Sequence, residues 1–252
     1  MAYIAEFRTL LLIGPLAGMP CVLGCDTIVD PIERGSEAYR PDGGITECVL
    51  TPQADGWVES QSNPCGVQGS WYSYNDCNDS PDCTRGPNGE PTQTPGEGSF
   101  PNEGGRMCTE GVTAVPANED EMSVKWGAGI ALHLNEDEDG NPRPVGDLGI
   151  DLIGFRFTVE HLPEKSDDRL RVNFPTADTD PNAHYVSLHS DGTYNVHLDS
   201  DEIRQGDWVV EKTPLDPATI EAVQFQVPTE IGEAIDFDFC VSGLTVLLGT
   251  PL

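Results

Sequence analysis

The sequence predicts an all-β fold in which two sheets pack face to face, and three observations carry that expectation. Short segments alternate apolar and polar residues with period two, as at Phe155, Phe157 and Val159 against Arg156, Thr158 and Glu160. Clusters of Pro, Gly, Asn and Asp separate these segments at strand-like intervals. No amphipathic stripe with helical spacing runs long enough to form a sizeable helix. Period two places alternate side chains on opposite faces, so one set enters the space between sheets and the other meets solvent.

The chain opens on an expected export signal over residues 1–24. Arg8 supplies a positive charge, and Leu10 to Gly24 form an apolar run too short to span a bilayer. The run ends in Val22-Leu23-Gly24-Cys25, which resembles a bacterial lipobox, where the cysteine is lipidated and becomes the new N-terminus. That resemblance implies a lipid on Cys25 and attachment to a membrane of the cell envelope. If the lipobox is not used, the protein is secreted. Residues 25–44 lack apolar periodicity and end in Pro41-Asp42-Gly43-Gly44, so they read as a flexible tether. Residues 45–252 are the predicted sandwich.

Within the sandwich, Gly69 to Asp76 and Trp126 to Leu134 each mix bulky aromatics with glycine or alanine. Strands of that composition pack closely against a second sheet or lie beneath a ligand groove. Trp71 is expected in the core, together with Trp126, Ile130, Leu132, Leu134 and Trp208. Leu170, Val172 and Phe174 follow the same alternation, as do Val223, Phe225 and Val227, then Phe237, Phe239 and Val241. Residues 79–105 form a long irregular loop rich in Gly, Pro, Asn and Thr. One helical turn is expected at Asp216 to Ile220, with Asp216 as cap and Pro217 in first position.

Of eight cysteines, setting aside Cys21 in the signal and Cys25 at the lipobox leaves six: Cys48, Cys65, Cys77, Cys83, Cys108 and Cys240. An even number behind an export signal predicts three disulfides in an oxidising compartment. Cys77 and Cys83 bracket a turn-rich loop and are expected to pair. Cys240, on the last strand, is expected to staple an early segment, and the other pairings stay open. The spacings do not match a zinc site.

The charge balance, 43 acidic against 13 basic residues, gives a net charge of −30. A field of that sign repels phosphate backbones, which argues against a nucleic-acid partner. Anionic lipid surfaces are disfavoured too, unless a covalent anchor holds the protein there. Neutral sugars and divalent cations remain compatible, although most of the acids serve solubility.

The order of the blocks Gly69-Ser70-Trp71-Tyr72 with Asn75-Asp76, Trp126–Ile130, Asp151–Phe157, Leu170–Phe174, Gln205–Trp208, Ile220–Val227 and Phe237–Val241 resembles a known family. It is similar to the galactose-binding-like jelly rolls of secreted bacterial carbohydrate-binding modules, over roughly residues 65–248. The resemblance implies a two-sheet jelly-roll β-sandwich with long disulfide-stapled loops, and a polysaccharide or glycan ligand. Relatives commonly end in a strand with paired acids. Here Cys240-Val241-Ser242-Gly243 replaces them, which removes the expectation of calcium on that strand.

Sugar recognition asks for aromatic faces to stack on pyranose rings and planar polar groups to grip hydroxyls. Tyr72, Tyr74, His133, Arg156, Arg171, Asn173, Gln224 and Gln226 all alternate out of the core, and they form the expected ligand face if their strands share a sheet. Metal binding has one local candidate, a structural calcium on Asn135, Asp137 and Asp139. That segment repeats the opening of a calcium loop but lacks its final glutamate. Asp76, Asp79 and Asp82 form a weaker second one. His184 and His189 differ by an odd number and so face opposite sides of one strand, which argues against a zinc or copper site with His197.

No Gly-x-Ser-x-Gly elbow, His-Glu-x-x-His helix or phosphate loop occurs, and abundant acids make any apparent glycosidase pair uninformative. The favoured expectation is a non-catalytic glycan-binding lipoprotein. The alternative is an envelope structural or adhesion lipoprotein with an unknown protein partner. A glycoside-processing enzyme comes third.

Overall fold

The computed structural model of the protein describes residues 45–78, 82–86, 105–164, 168–176, 184–206, 209 and 211–249. Eleven strands run through them: β1 (Thr46–Val49), β2 (Trp57–Val58), β3 (Gly69–Asn75), β4 (Met107–Val112), β5 (Ala128–His133), β6 (Leu152–Glu160), β7 (Leu170–Phe174), β8 (His184–Leu188), β9 (Gly192–His197), β10 (Ala222–Val227) and β11 (Asp236–Leu248). They form two antiparallel sheets. The five-stranded sheet runs β1-β11-β6-β9, and β4 shares with β1 the other edge of the long β11. The six-stranded sheet runs β2-β3-β5-β10-β7-β8. From β4 onward the chain passes repeatedly between the two sheets, in the manner of a jelly roll. The structure is a two-sheet β-sandwich, as the alternation predicts.

The alternating residues meet where the period places them. Phe155 of β6 stacks on Phe174 of β7 across the sandwich, with centroids 5.7 Å apart, and Phe157 meets Phe225 of β10 edge to face at 5.0 Å. Trp71 stacks on the same Phe225 at 6.2 Å. All five side chains are buried, as are Ile130, Leu132, Leu134, Val172, Val223, Phe239 and Val241. Aromatic pairs of this kind add about 0.5–1.5 kcal/mol beyond the area they bury.

Trp126 departs from its expected place. It precedes β5, outside the buried core cluster, and stacks on Tyr74 at 5.7 Å. Gly127 follows it with φ of 111° and so turns the chain as it enters the strand, which breaks the alternation that predicted an inward tryptophan. Trp208 lies outside the described residues. The expected turn at Asp216 forms: Pro217–Thr219 make a short 3-10 helix, and the Asp216 carboxylate accepts from the Ala218 amide at 3.0 Å.

Three disulfides join Cys48–Cys65, Cys77–Cys83 and Cys108–Cys240. The Cys77–Cys83 expectation holds. Cys240 bonds Cys108, its direct neighbour across the β4–β11 ladder, rather than an early segment. Three such bonds place the domain in an oxidising, extracytoplasmic compartment. Among the described residues, no helix is long and apolar enough to cross a membrane. Residues 1–44, with Cys25, and most of the 79–105 loop lie outside the described residues.

Candidate functional site

The outer face of the six-stranded sheet gathers most of the expected ligand residues. Strand register sets one row across five strands: Tyr72, Ala131, Gln224, Asn173 and Tyr185. The next row is Tyr74, Gly129, Gln226, Arg171 and Ser187. His133 lies on the same face of β5, two residues beyond Ala131. Seven of the eight expected ligand residues therefore share one surface.

Arg156 is the exception. Its strand, β6, belongs to the other sheet, where Arg156 pairs with Glu47 through two nitrogens at 2.6 and 2.5 Å. That bond holds the Glu47 carboxyl below the usual range. Outward alternation is the same on either sheet, so the sequence pattern could not separate Arg156 from the others. It plays no part on the candidate face.

Four rings form a continuous strip along one side of this face. His133 meets Tyr72 at 4.5 Å, Tyr72 meets Tyr74 at 6.2 Å, and Tyr74 meets Trp126 at 5.7 Å. Beside the strip, Gly129 and Ala131 supply no bulk, and the neighbours close over them: the Tyr74 hydroxyl lies over Gly129, the Tyr72 hydroxyl and Gln224 meet over Ala131, and Ala131 and Asn173 are buried. Gly129 is required there. A Cβ would run into the Phe225 carbonyl and would stand 2.9 Å from the Tyr74 hydroxyl. The glycine that marks a close backbone approach thus also makes room for the ring above it.

The polar groups are largely pre-ordered. His133 Nδ1 lies 2.9 Å from the Glu136 carboxylate, which also accepts from the Ser70 amide at 2.8 Å. Gln224 Nε2 points to the Tyr72 hydroxyl at 3.4 Å. Asn173 Nδ2 donates to Gln226 Oε1 at 3.1 Å, and Gln226 Nε2 donates to the Trp126 carbonyl at 3.0 Å. The Tyr74 hydroxyl is buried and makes no hydrogen bond of good geometry among the described residues, its polar neighbour being the Asn173 side chain. Burial pushes its pKa well above the ordinary tyrosine range, with neighbouring Tyr72 adding to the shift, so it stays a neutral donor.

At the far end, the Arg171 guanidinium lies 4.7 Å from the centroid of the Tyr185 ring and that of Arg204 lies 5.2 Å from it. Both arginines share one acid: Arg171 Nη2 reaches Asp168 Oδ2 at 3.0 Å and Arg204 Nη2 reaches Oδ1 at 3.2 Å. Arg204 also donates to Ser187 Oγ at 3.0 Å. Asp168 has φ of 43°, an uncommon value for a residue with a side chain. Burial alone would raise its carboxyl pKa, but Ser187 and the two arginines outweigh burial and hold it below the usual range.

Sequence reasoning missed Trp126, Tyr185, Ser187, Asp168 and Arg204 as members of this face. Tyr185 and Ser187 alternate with buried Val186 and Leu188, a legible signal. Arg204 reaches the row only through a single bridge to Tyr185, outside any strand, and no local pattern announces that.

The expected calcium loop takes a different form. Asp137 accepts from the Asp139 and Asn141 amides at 3.0 and 2.9 Å and pairs with Arg143 at 2.9 Å. The Asn141 amide, first, and Arg143 hold its pKa at about 2. Asn135 instead turns its amide to the Pro144 carbonyl at 3.0 Å. The segment is a self-satisfied turn with an arginine where a cation would sit. In the second candidate, Asp79 lies outside the described residues. Asp76 is fully buried and accepts from the Thr84 and Gly127 amides at 2.6 and 3.0 Å, while Asp82 pairs with Lys125 at 3.0 Å. Among the described residues, one group of His, Cys, Asp or Glu ligand atoms converges, Asp76 with Cys77 and Cys83, and both of its cysteines are spent in a disulfide. His184 is buried and its Nε2 lies 2.7 Å from the Thr213 carbonyl, an ordinary structural contact.

No family model matches the sequence, and no curated protein matches it. Among solved structures, the chain is similar to one described as "Solution structure, dynamics and binding studies of CtCBM11". The identity is 11% and the TM-score 0.34, over 83% of this chain and 98% of that one. At that TM-score the likeness carries no argument, and the fold stands on its own strand pairing.

Proposed function

We propose that this protein is a non-catalytic binding module that holds a polysaccharide or glycan on the outer face of its six-stranded sheet. The observation that carries the reading is the aromatic strip His133–Tyr72–Tyr74–Trp126 beside the side-chain amides of Gln224 and Gln226. Aromatic faces stack on sugar rings, and the amides of Gln224 and Gln226, the latter held by buried Asn173, offer planar donors and acceptors to hydroxyls. Asp168 and Glu136, carboxylates that reach this face, are committed to arginines and to His133 with Ser70, respectively. That commitment fits binding better than a glycosidase, which needs two available carboxylates at a set separation. Retardation in affinity gels cast with β-glucan, xylan and acidic polysaccharides tests the proposal. Mobility unchanged in every gel would overturn it.

A lipid on Cys25 would tether the module to a membrane by residues 25–44, and the motif Val22-Leu23-Gly24-Cys25 supports that part of the proposal. Cys25→Ser is then expected to move the protein from the membrane pellet to the soluble fraction. An unchanged distribution would remove the anchor and leave the binding face untouched.

A further inference from the structure

We propose that the Tyr185 end of the candidate face is a subsite for a carboxylated sugar, so that the ligand is an acidic glycan whose uronate lies against Arg171 and Arg204. This rests on the reading of the face as a glycan site and goes on to name the class of glycan. The first support is an imbalance of charge. The chain has 13 basic residues against 43 acidic ones, yet two arginines converge on one tyrosine ring and share a single carboxylate. Among the described residues Asp168 is the acid that pairs with both, so the two arginines carry one positive charge more than their shared partner removes.

The second support is an exposed guanidinium beside a buried one. Arg171 Nε is buried and has no partner among the described residues. That nitrogen has no exposed surface, so Arg171 acts on an arriving carboxylate through its charge, while the direct hydrogen bonds come from Arg204. Arg204 remains half-exposed, with 55% of its side-chain surface open, so solvent-borne ligand can reach it. Tyr185 beneath and Asp168 beside hold both guanidinium groups before ligand arrives, which limits the ordering that binding must supply.

Position completes the case. Arg171 stands in the same cross-sheet row as Tyr74, three strands away. At about 4.8 Å per strand that separation is roughly 14 Å, within reach of one oligosaccharide lying across the strands. The negative field of the whole protein does not forbid an acidic ligand. At physiological ionic strength the screening length is about 8 Å, so the contacting arginines outweigh acids elsewhere on the surface.

The test pairs each acidic polysaccharide with its own neutral form. Polygalacturonate, alginate and glucuronoxylan are titrated at 0.15 M salt, an ionic strength at which about 8 Å of screening applies, alongside their carboxyl-reduced counterparts and neutral β-glucan and xylan. At least one native polymer is expected to bind roughly tenfold or more tightly than its reduced form, the gain of one charge-assisted contact. Arg204→Gln should collapse that ratio to about one, and Arg204→Lys should restore part of it, with melting temperature monitored throughout. Equal binding of native and reduced polymers would overturn the acidic subsite while the glycan reading stands. Binding to none of the polymers would overturn both.

Discussion

Replacing Tyr74 with alanine is expected to weaken glycan binding by roughly 10- to 100-fold, about 1.4–2.8 kcal/mol. The ring is the hinge of the aromatic strip, touching Tyr72 on one side and Trp126 on the other. Its loss removes a stacking surface and frees Trp126 to move. Alanine also deletes contacts that hold the strip together, so a folded-state effect could mimic a binding effect. Tyr74→Phe separates them. The hydroxyl is buried and makes no hydrogen bond of good geometry among the described residues, so its removal is expected to leave stability unchanged or slightly higher. Tyr74→Phe is also expected to keep glycan affinity within about threefold, because the hydroxyl it removes has no exposed surface for a sugar to reach. Isothermal titration beside thermal melts checks both halves. Full affinity in the alanine variant would remove Tyr74 from the site, and a loss well beyond threefold in the phenylalanine variant would mean that the hydroxyl becomes exposed when ligand binds.

The sandwich was legible in the sequence because burial imposes period two on each strand. Phe155 with Phe157, and Val223 with Phe225, show that period without ambiguity, and Phe155 meets Phe174 across the sheets as Phe157 meets Phe225. Strand neighbours were not legible. Arg156 and Arg171 carry the same local pattern, but pairing with β11 sends one to the five-stranded sheet and pairing with β10 sends the other to the six-stranded sheet. Long-range pairing is a property of the whole chain, whereas alternation is a property of a few residues. Trp126 illustrates a different limit. Its neighbour Gly127 takes a positive φ, so the face a side chain occupies no longer follows from counting. Turn chemistry sets a third limit. Asn135, Asp137 and Asp139 have the spacing of calcium ligands, but Arg143, six residues beyond Asp137, returns to occupy its carboxylate.

The Cys108–Cys240 bond is expected to contribute most of any single covalent link to the stability of the domain. The two residues are 132 positions apart, so the bond closes the longest loop of the three disulfides. In the chain-entropy view a loop of that length stabilises by about 4–5 kcal/mol, against about 3 kcal/mol for a loop the size of Cys48–Cys65. Within that loop lie β5 to β10, which supply most of the six-stranded sheet and its ligand face. Cys108 and Cys240 are register partners on adjacent strands, so the bond ties β4 to β11 directly. A Cys108→Ala, Cys240→Ala variant should therefore melt roughly 10 °C lower, taking about 2–4 °C per kcal/mol for a chain of this size. Affinity for glycan measured well below that lower melting point should be unchanged, since neither cysteine lies on the candidate face. A drop of only one or two degrees would mean that the unfolded chain is already compact, or that the β4–β11 ladder carries the closure by itself. Lost affinity at full folding would mean that the far sheet sets the geometry of the ligand face through the shared core, with Phe157 and Phe225 as the contact between them.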